Sequence, residues 1–421
     1  MKSGLHFLLA AKRCEIAELQ QLTLTATLVD ASAGLVHELQ RERGMSNLYL
    51  ASAGQRFGAE RLAQVANTGA AQSALCAHFD RLDTEAARLG HGARLFARIA
   101  YVLHGLAALP ALRQQVASGA WTPTRSSAAY TRLIAGLLAV IFEAADTASD
   151  PAISRLLVGL FNFMQSKEFA GQERATGSAL FASGQVDGAG QQRLLYLIDS
   201  QERALEVFAQ FAHPDAVALW QRCDVPSTQA ALERMRRILC TAGERGPLNP
   251  ELSQRWFDIC TDRMNAMKAV EDHLSADLRA LCELRRDNLE HELSALDGIH
   301  SHVAGTPDEA VSLSYFDEPQ DATPAAPSYP LGSHLDRSVL DLVQAQAKRL
   351  QAMSAELDTT RASLNERKLV ERAKGLLMAQ RQISEAEAHK TLRQLAMNQN
   401  RRLVDVAESV LALADLPQTE R

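Results

Sequence analysis

The chain has 421 residues, enough for two or three domains, and its 47% hydrophobic and 22% charged residues are typical of a protein that buries a core. It has only 23 glycines and 13 prolines. This is sparse for the frequent turns of a β-sandwich or barrel, so long helices are predicted. The net charge of −6 excludes a uniformly basic coat. Any nucleic-acid surface must therefore be local.

The six cysteines are scattered without a CxxC pair. This pattern favours reduced thiols over a zinc site or a disulfide framework. A short apolar run at residues 7–11 is followed by Lys12 and Arg13, which is the wrong order for a secretory signal and too short to span a bilayer. No run of about 18 apolar residues is apparent. We therefore expect a cytoplasmic protein with no membrane partner.

Apolar residues recur at three- and four-residue steps through most of residues 1–297, which predicts helices. The predicted helical segments are 35–51, 95–109, 127–147, 153–165, 191–211, 229–241 and 252–296. Short breaks are expected at Pro110, Pro123, Pro151, Pro214, Pro226 and Pro247. Long segments with short connections predict an all-α fold with two antiparallel helical bundles in this region.

An internal repeat supports two related bundles. Residues 42–52 (ERGMSNLYLAS) align without gaps to residues 173–183 (ERATGSALFAS). Each copy begins with Glu-Arg, continues with mostly small residues and a bulky pair, and ends with Ala-Ser. Each also lies one helix into its predicted bundle, so we interpret residues 1–297 as a duplicated sensor region.

Arginines beside small residues are the candidate binding groups of this region. Arg43 is followed by Gly44 and Ser46, and Arg174 lies among Gly171, Ala175 and Gly177. Small neighbours let another helix approach and let a guanidinium point into a crevice. A guanidinium there offers a planar fork of donors that suits a planar oxyanion.

A later helix offers further candidates and an alternative interpretation. Arg234 and Arg236 flank the predicted apolar stripe of segment 229–241. The alternative to a binding site is that Glu42 and Glu173 form structural salt bridges with arginines. The sequence alone leaves both readings open.

Composition changes after the sensor region. Residues 298–335 are rich in Pro, Ala, Ser and acidic residues without helical periodicity, which predicts a flexible linker. Val343, Leu350, Leu357 and Leu364 then recur every seven residues, which predicts a coiled-coil helix over 336–368. Its second seam is half polar, as in a weak and switchable pairing, so a homodimer is possible. The alternative is a single amphipathic helix lying on the sensor.

Residues 369–416 are predicted to form a domain of three short helices, the second of which begins with the capping box Ser384–Glu387. Residues 361–402 carry ten basic and four acidic side chains, a local excess of six positive charges. Such an excess indicates a surface that contacts phosphates. A solvated basic face is the alternative.

The sequence contains no enzyme signature. It has no P-loop, Rossmann glycine pattern, HExxH or GxSxG motif, and its acidic and histidine residues are spread along helices. We therefore predict neither an enzyme, nor a metal site, nor a cofactor.

Both halves resemble known families. The Glu-Arg-Gly-Met-Ser motif at 42–46, with its copy at 172–175, resembles the NIT domain, a helical sensor of nitrate and nitrite. Segment 369–413 resembles the ANTAR domain, a three-helix module that binds RNA stem-loops in transcription antitermination. The matching motifs are AKGLLM at 373–378, ISEAEA at 383–388 and LVDVA at 403–407. The pair resembles nitrate-responsive antiterminators, which regulate nitrate assimilation.

This resemblance implies residue roles. Nitrate or nitrite would be bound by Arg43, by Arg174 and by a further arginine, either Arg234 or Arg236. Leader RNA would be bound by exposed basic residues of the terminal helices, which we assign as Lys374, Lys390, Arg393, Arg401 and Arg402. Because a flexible linker cannot push, we expect control by release or capture of the terminal domain. The alternatives are an oxyanion sensor that signals by docking on another protein and a DNA-binding activator.

Overall fold

The chain folds as long helices joined by short connections. A computed structural model describes residues 4–82, 92–146, 150–242 and 247–303, and residues 366–414 apart from 367–368, 379, 382, 384 and 400. The helices of the first part are α1 (Gly4–Ala51), α2 (Gly58–Phe79), α3 (Gly92–Ala117), α4 (Pro123–Asp146), α5 (Pro151–Ser183), α6 (Gly188–Phe211), α7 (Pro214–Cys223), α8 (Pro226–Thr241) and α9 (Leu252–Val303). The last part has α10 (369–378), α11 (Glu385–Gln399) and α12 (Leu403–Ala414). These ranges contain no strand, and the predicted all-α class is confirmed.

The helices pack as two groups, one formed by α1–α4 and the other mainly by α5, α6, α8 and α9. The groups meet where α1 packs on α9 and α4 packs on α5. One apolar cluster runs through both groups and includes Leu39, Leu137, Phe163 and Met267. A second cluster surrounds Trp256 at the start of α9. The terminal helices α10–α12 enclose a small core of their own.

Each of the predicted helical segments falls on an observed helix, but α2 and α7 were not predicted. Much of α2 is alanine, glycine and polar residues, so its periodicity is weak. Only two residues of α7, Ala216 and Trp220, are buried. Both helices owe their place to packing against α1 and α9, respectively.

Prolines mark helix starts more reliably than helix ends. Pro123, Pro151, Pro214 and Pro226 each begin a helix, where the missing N–H costs nothing. The predicted break at Pro110 is wrong, because α3 continues through it to Ala117. Apolar side chains on both sides of Pro110 are buried, and their packing outweighs the backbone hydrogen bond that proline removes.

The end of the sensor region also differs from expectation. Helix α9 continues to Val303, so the first six residues of the predicted linker, 298–303, are helical. Glycine at 298 and the histidines near it lack apolar periodicity but do not stop a helix already 46 residues long. Both seams of the predicted coiled coil, and Ser384 of the predicted capping box, lie outside the described residues.

Two helices are longer and more apolar than the sequence analysis recognised. Segments Ala93–Ala117 and Pro123–Glu143 have mean hydropathies of 1.6 and 1.3, which by length and composition alone would be enough to cross a membrane. A core helix of a globular protein meets the same criterion. Helix α4 packs on α1, α3 and α5, as such a core helix does.

The contact between α5 and α9 gives a stability prediction. A methyl group at Gly177 would overlap the indole of Trp256, which is fully buried and donates a hydrogen bond to the Arg174 carbonyl at 3.0 Å. We expect Gly177→Ala to lower the free energy of unfolding by about 1–3 kcal/mol in urea denaturation, since the indole cannot move without overpacking the core. Gly34→Ala is the control. No atom lies within 4 Å of its added methyl, and alanine favours the helix. Equal effects of the two substitutions would contradict this packing argument.

Candidate functional site

Helices α1 and α5 meet through a buried arginine of α1. Arg43 is 1% exposed, and its guanidinium donates to Glu168 through Nη1 at 2.6 Å and Nη2 at 3.2 Å. Its Nη1 also donates to Thr131 Oγ1 of α4 at 2.8 Å. The side-chain amides of Gln40 and Gln172 each donate to Glu168 at 2.9 Å. The carboxylate of Glu168 is therefore bound much as a planar oxyanion would be.

Arg174 of α5 reaches back toward α1 but finds no carboxylate. It donates to Thr261 Oγ1 at 2.9 Å and to the Gln40 carbonyl at 3.2 Å, and it lies 4.7 Å over the ring of Phe257. No salt bridge to it is present within the described ranges. Burial, and then the positive charge of Arg43, lowers the pKa of Arg174 to about 10. Arg43 and Arg174 lie where α1 and α5 cross, and this crossing therefore carries one buried positive charge that no carboxylate of the described residues pairs with.

Two glycines make room for the guanidinium groups. A Cβ at Gly44 would lie 2.7 Å from Arg174 Nη2, and one at Gly171 would lie 2.6 Å from Arg43 Nη2. Each glycine thus faces the arginine of the opposite helix. The small residues that the sequence placed beside the arginines serve the close approach of these side chains.

The two repeated glutamates form structural salt bridges, as the alternative interpretation expected, but not with their neighbours in sequence. Glu42 accepts two hydrogen bonds of 2.8 Å from Arg113 of α3 and one of 2.7 Å from Tyr130. Glu173 accepts two from Arg236 of α8, at 2.7 and 2.8 Å. Arg43 and Arg174 therefore do not pair with the glutamates that precede them in the sequence.

The two arginines of α8 have different surroundings. Arg236 is buried, and although burial acts to lower its pKa, the hydrogen bonds and charge of Glu173 raise it. In this conformation Arg236 is engaged in the structural ion pair with Glu173. Arg234 is exposed on the surface of α8. The structure brings Arg43 and Arg174 together and places neither α8 arginine beside Arg43.

The candidate RNA-binding residues separate into one buried and four exposed. Lys390 and Arg393 are exposed on α11, and Arg401 and Arg402 are exposed in the connection between α11 and α12. Lys374, which was expected at the surface, is 4% exposed, so that expectation is wrong for this conformation. Its ammonium lies 2.8 Å from Glu371 and 3.1 Å from Glu385. Burial acts to lower its pKa, but these carboxylates and Tyr196 raise it.

Lys374 is buried because the terminal helices dock on α6 of the sensor. The Tyr196 hydroxyl donates to Glu385 at 2.7 Å, and Arg193 lies 3.7 Å from the other oxygen of that carboxylate. The Tyr196 ring packs edge-on against His389, with centroids 5.7 Å apart. Arg393 lies 3.8 Å from Asp199 of α6. The contact is small and mostly polar.

A chain of polar contacts joins this docking surface to the α1–α5 crossing. Arg193 donates to Gln172, which donates to Glu168, the partner of Arg43. Sequence reasoning missed Glu168, Arg193 and Tyr196, and it gave no role to Gln172, which opens the second copy of the NIT motif. Lone polar residues on helices give no signal of their own, and Glu168 and Gln172 precede the aligned repeat.

No metal centre accompanies these groups. Across the part of the chain that the structure describes, no three His, Cys, Asp or Glu side chains are grouped closely enough to hold a metal ion.

The different pairing of the arginines predicts different effects on stability. Arg236→Met leaves the carboxylate of Glu173 buried without its main partner, so we expect a loss of about 3–5 kcal/mol in the free energy of unfolding. Arg174→Met removes a buried charge that has no carboxylate, so unfolding should be nearly unaffected or shift to higher denaturant. Urea denaturation of both variants without oxyanion measures this difference. A larger loss from Arg174→Met than from Arg236→Met would contradict the assignment.

Comparisons with known proteins show which families this chain resembles. Residues 34–279 match the NIT family, described as nitrate and nitrite sensing, and residues 358–411 match the ANTAR domain. The chain is 33% identical over 408 residues to a nitrate regulatory protein of Klebsiella oxytoca, covering 96% of this chain and 94% of that one. It is 27% identical over 209 residues to the transcriptional regulatory protein PdtaR of Mycobacterium tuberculosis, covering 46% and 98%, respectively. The structure of the NasR transcription antiterminator superposes with a TM-score of 0.60 at 31% identity, over 97% of this chain and 98% of that one. The chain therefore belongs to the family of nitrate-responsive antiterminators that combine a NIT sensor with an ANTAR domain.

Proposed function

We propose that residues of α1 and α5 bind nitrate or nitrite and that this binding controls RNA binding by the ANTAR domain. The observation that carries the proposal is the buried guanidinium of Arg174, which lies close to Arg43 and has no carboxylate partner within the described residues. A monovalent anion would neutralise the excess charge. The relatives named above supply the class of ligand.

The donor groups suit a small planar oxyanion. Guanidinium groups present hydrogen bonds in one plane, and the hydroxyls of Thr131 and Thr261 extend the set on α4 and α9. Nitrate and nitrite carry one negative charge over planar oxygen atoms. A tetrahedral dianion such as sulfate carries two negative charges, one more than is needed to neutralise the single excess positive charge of the crossing.

The ANTAR domain would act on leader RNA to prevent transcription termination. Lys390, Arg401 and Arg402 are exposed and supply positive charge for phosphates. Lys374 is held against α6 and cannot contact RNA in the docked conformation. The cytoplasm, where transcripts are made, is the expected compartment.

Control would be a shift between docked and released populations of the ANTAR domain. An oxyanion at the crossing changes the surroundings of the Arg43–Glu168 pair, and the contacts through Gln172 and Arg193 lead from that pair to Glu385. These neighbouring contacts give a physical route between the two sites. Whether the route transmits the signal is tested by measuring the free-energy coupling between nitrate binding and RNA binding. Release would free Lys374 and allow the predicted coiled coil of 336–368 to pair in a homodimer.

Calorimetric titration of the full-length chain with sodium nitrate and sodium nitrite tests the sensor. Arg43→Ala and Arg174→Ala each remove a charge-assisted donor and should weaken binding by about 1.5–3 kcal/mol, or about tenfold or more. Arg234→Ala, on the exposed surface of α8, is the control and should bind as the unmodified chain does. Unchanged affinity in both test variants would return these arginines to a structural role.

RNA titrations of the full-length chain test the docked state. Arg193→Ala and Tyr196→Phe remove sensor-side contacts to Glu385 and leave the ANTAR helices unchanged. Tyr196→Phe should raise affinity for a stem-loop RNA without nitrate about tenfold or more, since a hydrogen bond of 2.7 Å to a carboxylate is lost only from the docked state. Arg193→Ala should raise it less, because its 3.7 Å ion pair with Glu385 is partly exposed to water. Binding should weaken steeply with salt, and Lys390→Ala should reduce it further.

The control for docking is Glu202→Ala, which alters an exposed residue of α6 and should leave nitrate dependence as it is. If both interface variants still require nitrate, docking on α6 is not the block. Equal affinity for duplex DNA of the same length would favour the DNA-binding alternative. An absence of any nucleic-acid binding in the released variants would favour signalling through another protein.

A further inference from the structure

The two repeat copies build two nearly equivalent half-sites. Arg43 of α1 donates to Thr131, and its counterpart Arg174 of α5 donates to Thr261. Each arginine crosses to the opposite helix and lies over a glycine there. The preceding glutamates, in turn, each bind an arginine from the third helix of their bundle. The threonine contacts and the glutamate–arginine pairs thus follow the repeat, whereas Gly44 and Gly171 do not occupy equivalent positions in it.

The equivalence fails at the carboxylate that crosses between the two helices. Glu168 lies six residues before Arg174, and the residue six positions before Arg43 is His37. Glu168 is a carboxylate that crosses to bind Arg43, whereas His37 offers Arg174 only an imidazole. The His37 Nδ1 is buried and has no hydrogen-bond partner in the described part of the chain.

The other charges near His37 are already balanced or act to keep it neutral. Lys167 is fully buried and lies 2.5 Å from Glu271, and Lys268 contacts Glu271 and Asp272. Burial, followed by the charges of Lys167, Lys268, Arg41 and Arg174, lowers the pKa of His37 to about 2. Arg41, which lies 3.9 Å from Glu38, is exposed. No charge from this group compensates Arg174.

The charges at the crossing of α1 and α5 leave one positive charge unbalanced. Arg43 and Arg174 contribute two positive charges and Glu168 one negative charge, so the net charge is 2 − 1 = +1. The carboxylate of Glu168 receives two guanidinium and two amide hydrogen bonds, the arrangement expected for a bound planar oxyanion. One half-site is therefore filled from within the chain.

We propose that Glu168 is a built-in occupant of one of two equivalent oxyanion half-sites, and that histidine at position 37 leaves the other half-site, at Arg174, open to a single diffusible anion. This inference rests on the proposed function and deepens it. It fixes the number of anions at one per chain and assigns anion selection to Arg174 and residue 37. Arg43 then acts chiefly by holding Glu168.

The proposal is tested by equilibrium dialysis of the full-length chain against sodium nitrate, with bound nitrate counted by ion chromatography. The unmodified chain should bind one nitrate. His37→Glu supplies Arg174 with a carboxylate at the position equivalent to Glu168, and should weaken nitrate binding more than about tenfold. Glu168→Gln removes the internal charge with little change of shape and should raise the count to two.

Glu38→Gln is the matched control. It removes one negative charge from the next residue of α1, whose carboxylate contacts Gln64 and Arg41 rather than the crossing arginines, and the count should remain one. Circular dichroism melting of each variant confirms that it is folded, and His37→Glu and Glu168→Gln test the proposal independently.

The outcomes separate the two proposals. One nitrate bound by the unmodified chain, with unchanged affinity in His37→Glu and an unchanged count in Glu168→Gln, would overturn the half-site inference and leave the proposed function standing. Two nitrates in the unmodified chain would also overturn the inference alone. Binding of neither nitrate nor nitrite by the unmodified chain would overturn the proposed function and this inference with it.

Discussion

Ion pairs buried between helices are the constraint on which this architecture depends. The carboxylates of Glu42, Glu168 and Glu173 lie almost wholly out of water, and each is bound by an arginine from another helix. Such pairs are stable only when hydrogen bonds satisfy the remaining oxygen and nitrogen atoms, because desolvation of each charge costs several kcal/mol. A shift of α1 along α5 would break the Arg43–Glu168 pair together with the hydrogen bonds from Gln40 to Glu168 and from Arg174 to the Gln40 carbonyl. The pairs therefore fix the register in which apolar faces of similar composition pack.

The same burial makes the crossing of α1 and α5 suited to sensing. A guanidinium without a carboxylate in a dry setting is destabilising until an anion arrives, and an anion that binds only the folded form stabilises it by mass action. Water competes poorly with charge-assisted hydrogen bonds there. If an anion binds at Arg174 as proposed, the residue that lowers the stability of the empty protein is also the one through which the anion stabilises it most.

The ANTAR domain, in contrast to the buried ion pairs of the sensor, is held by a small contact at the protein surface. It rests on Tyr196, Glu385 and a few neighbouring charges rather than on an extended apolar surface. Such a contact is weak enough for a ligand's differential affinity of a few kcal/mol to tip it. The connection after α9 keeps the domain near α6, so recapture does not depend on protein concentration. A stable sensor and a lightly held effector are what a population shift requires.

The sequence by itself determined the all-α class, most helices, the duplicated motif and the position of the basic domain, because these follow from local periodicity and composition. It also marked Arg43 and Arg174 as candidate binding residues from their small neighbours, which remains a prediction. Only the tertiary structure decided that Arg43 meets Glu168, 125 residues away, and that Arg174 meets no carboxylate among the described residues. It likewise decided that Arg236 serves Glu173 and that Lys374 is buried rather than exposed. Pairing across helices depends on how the helices are placed in space, and a single sequence records the side chains but not the distances between them.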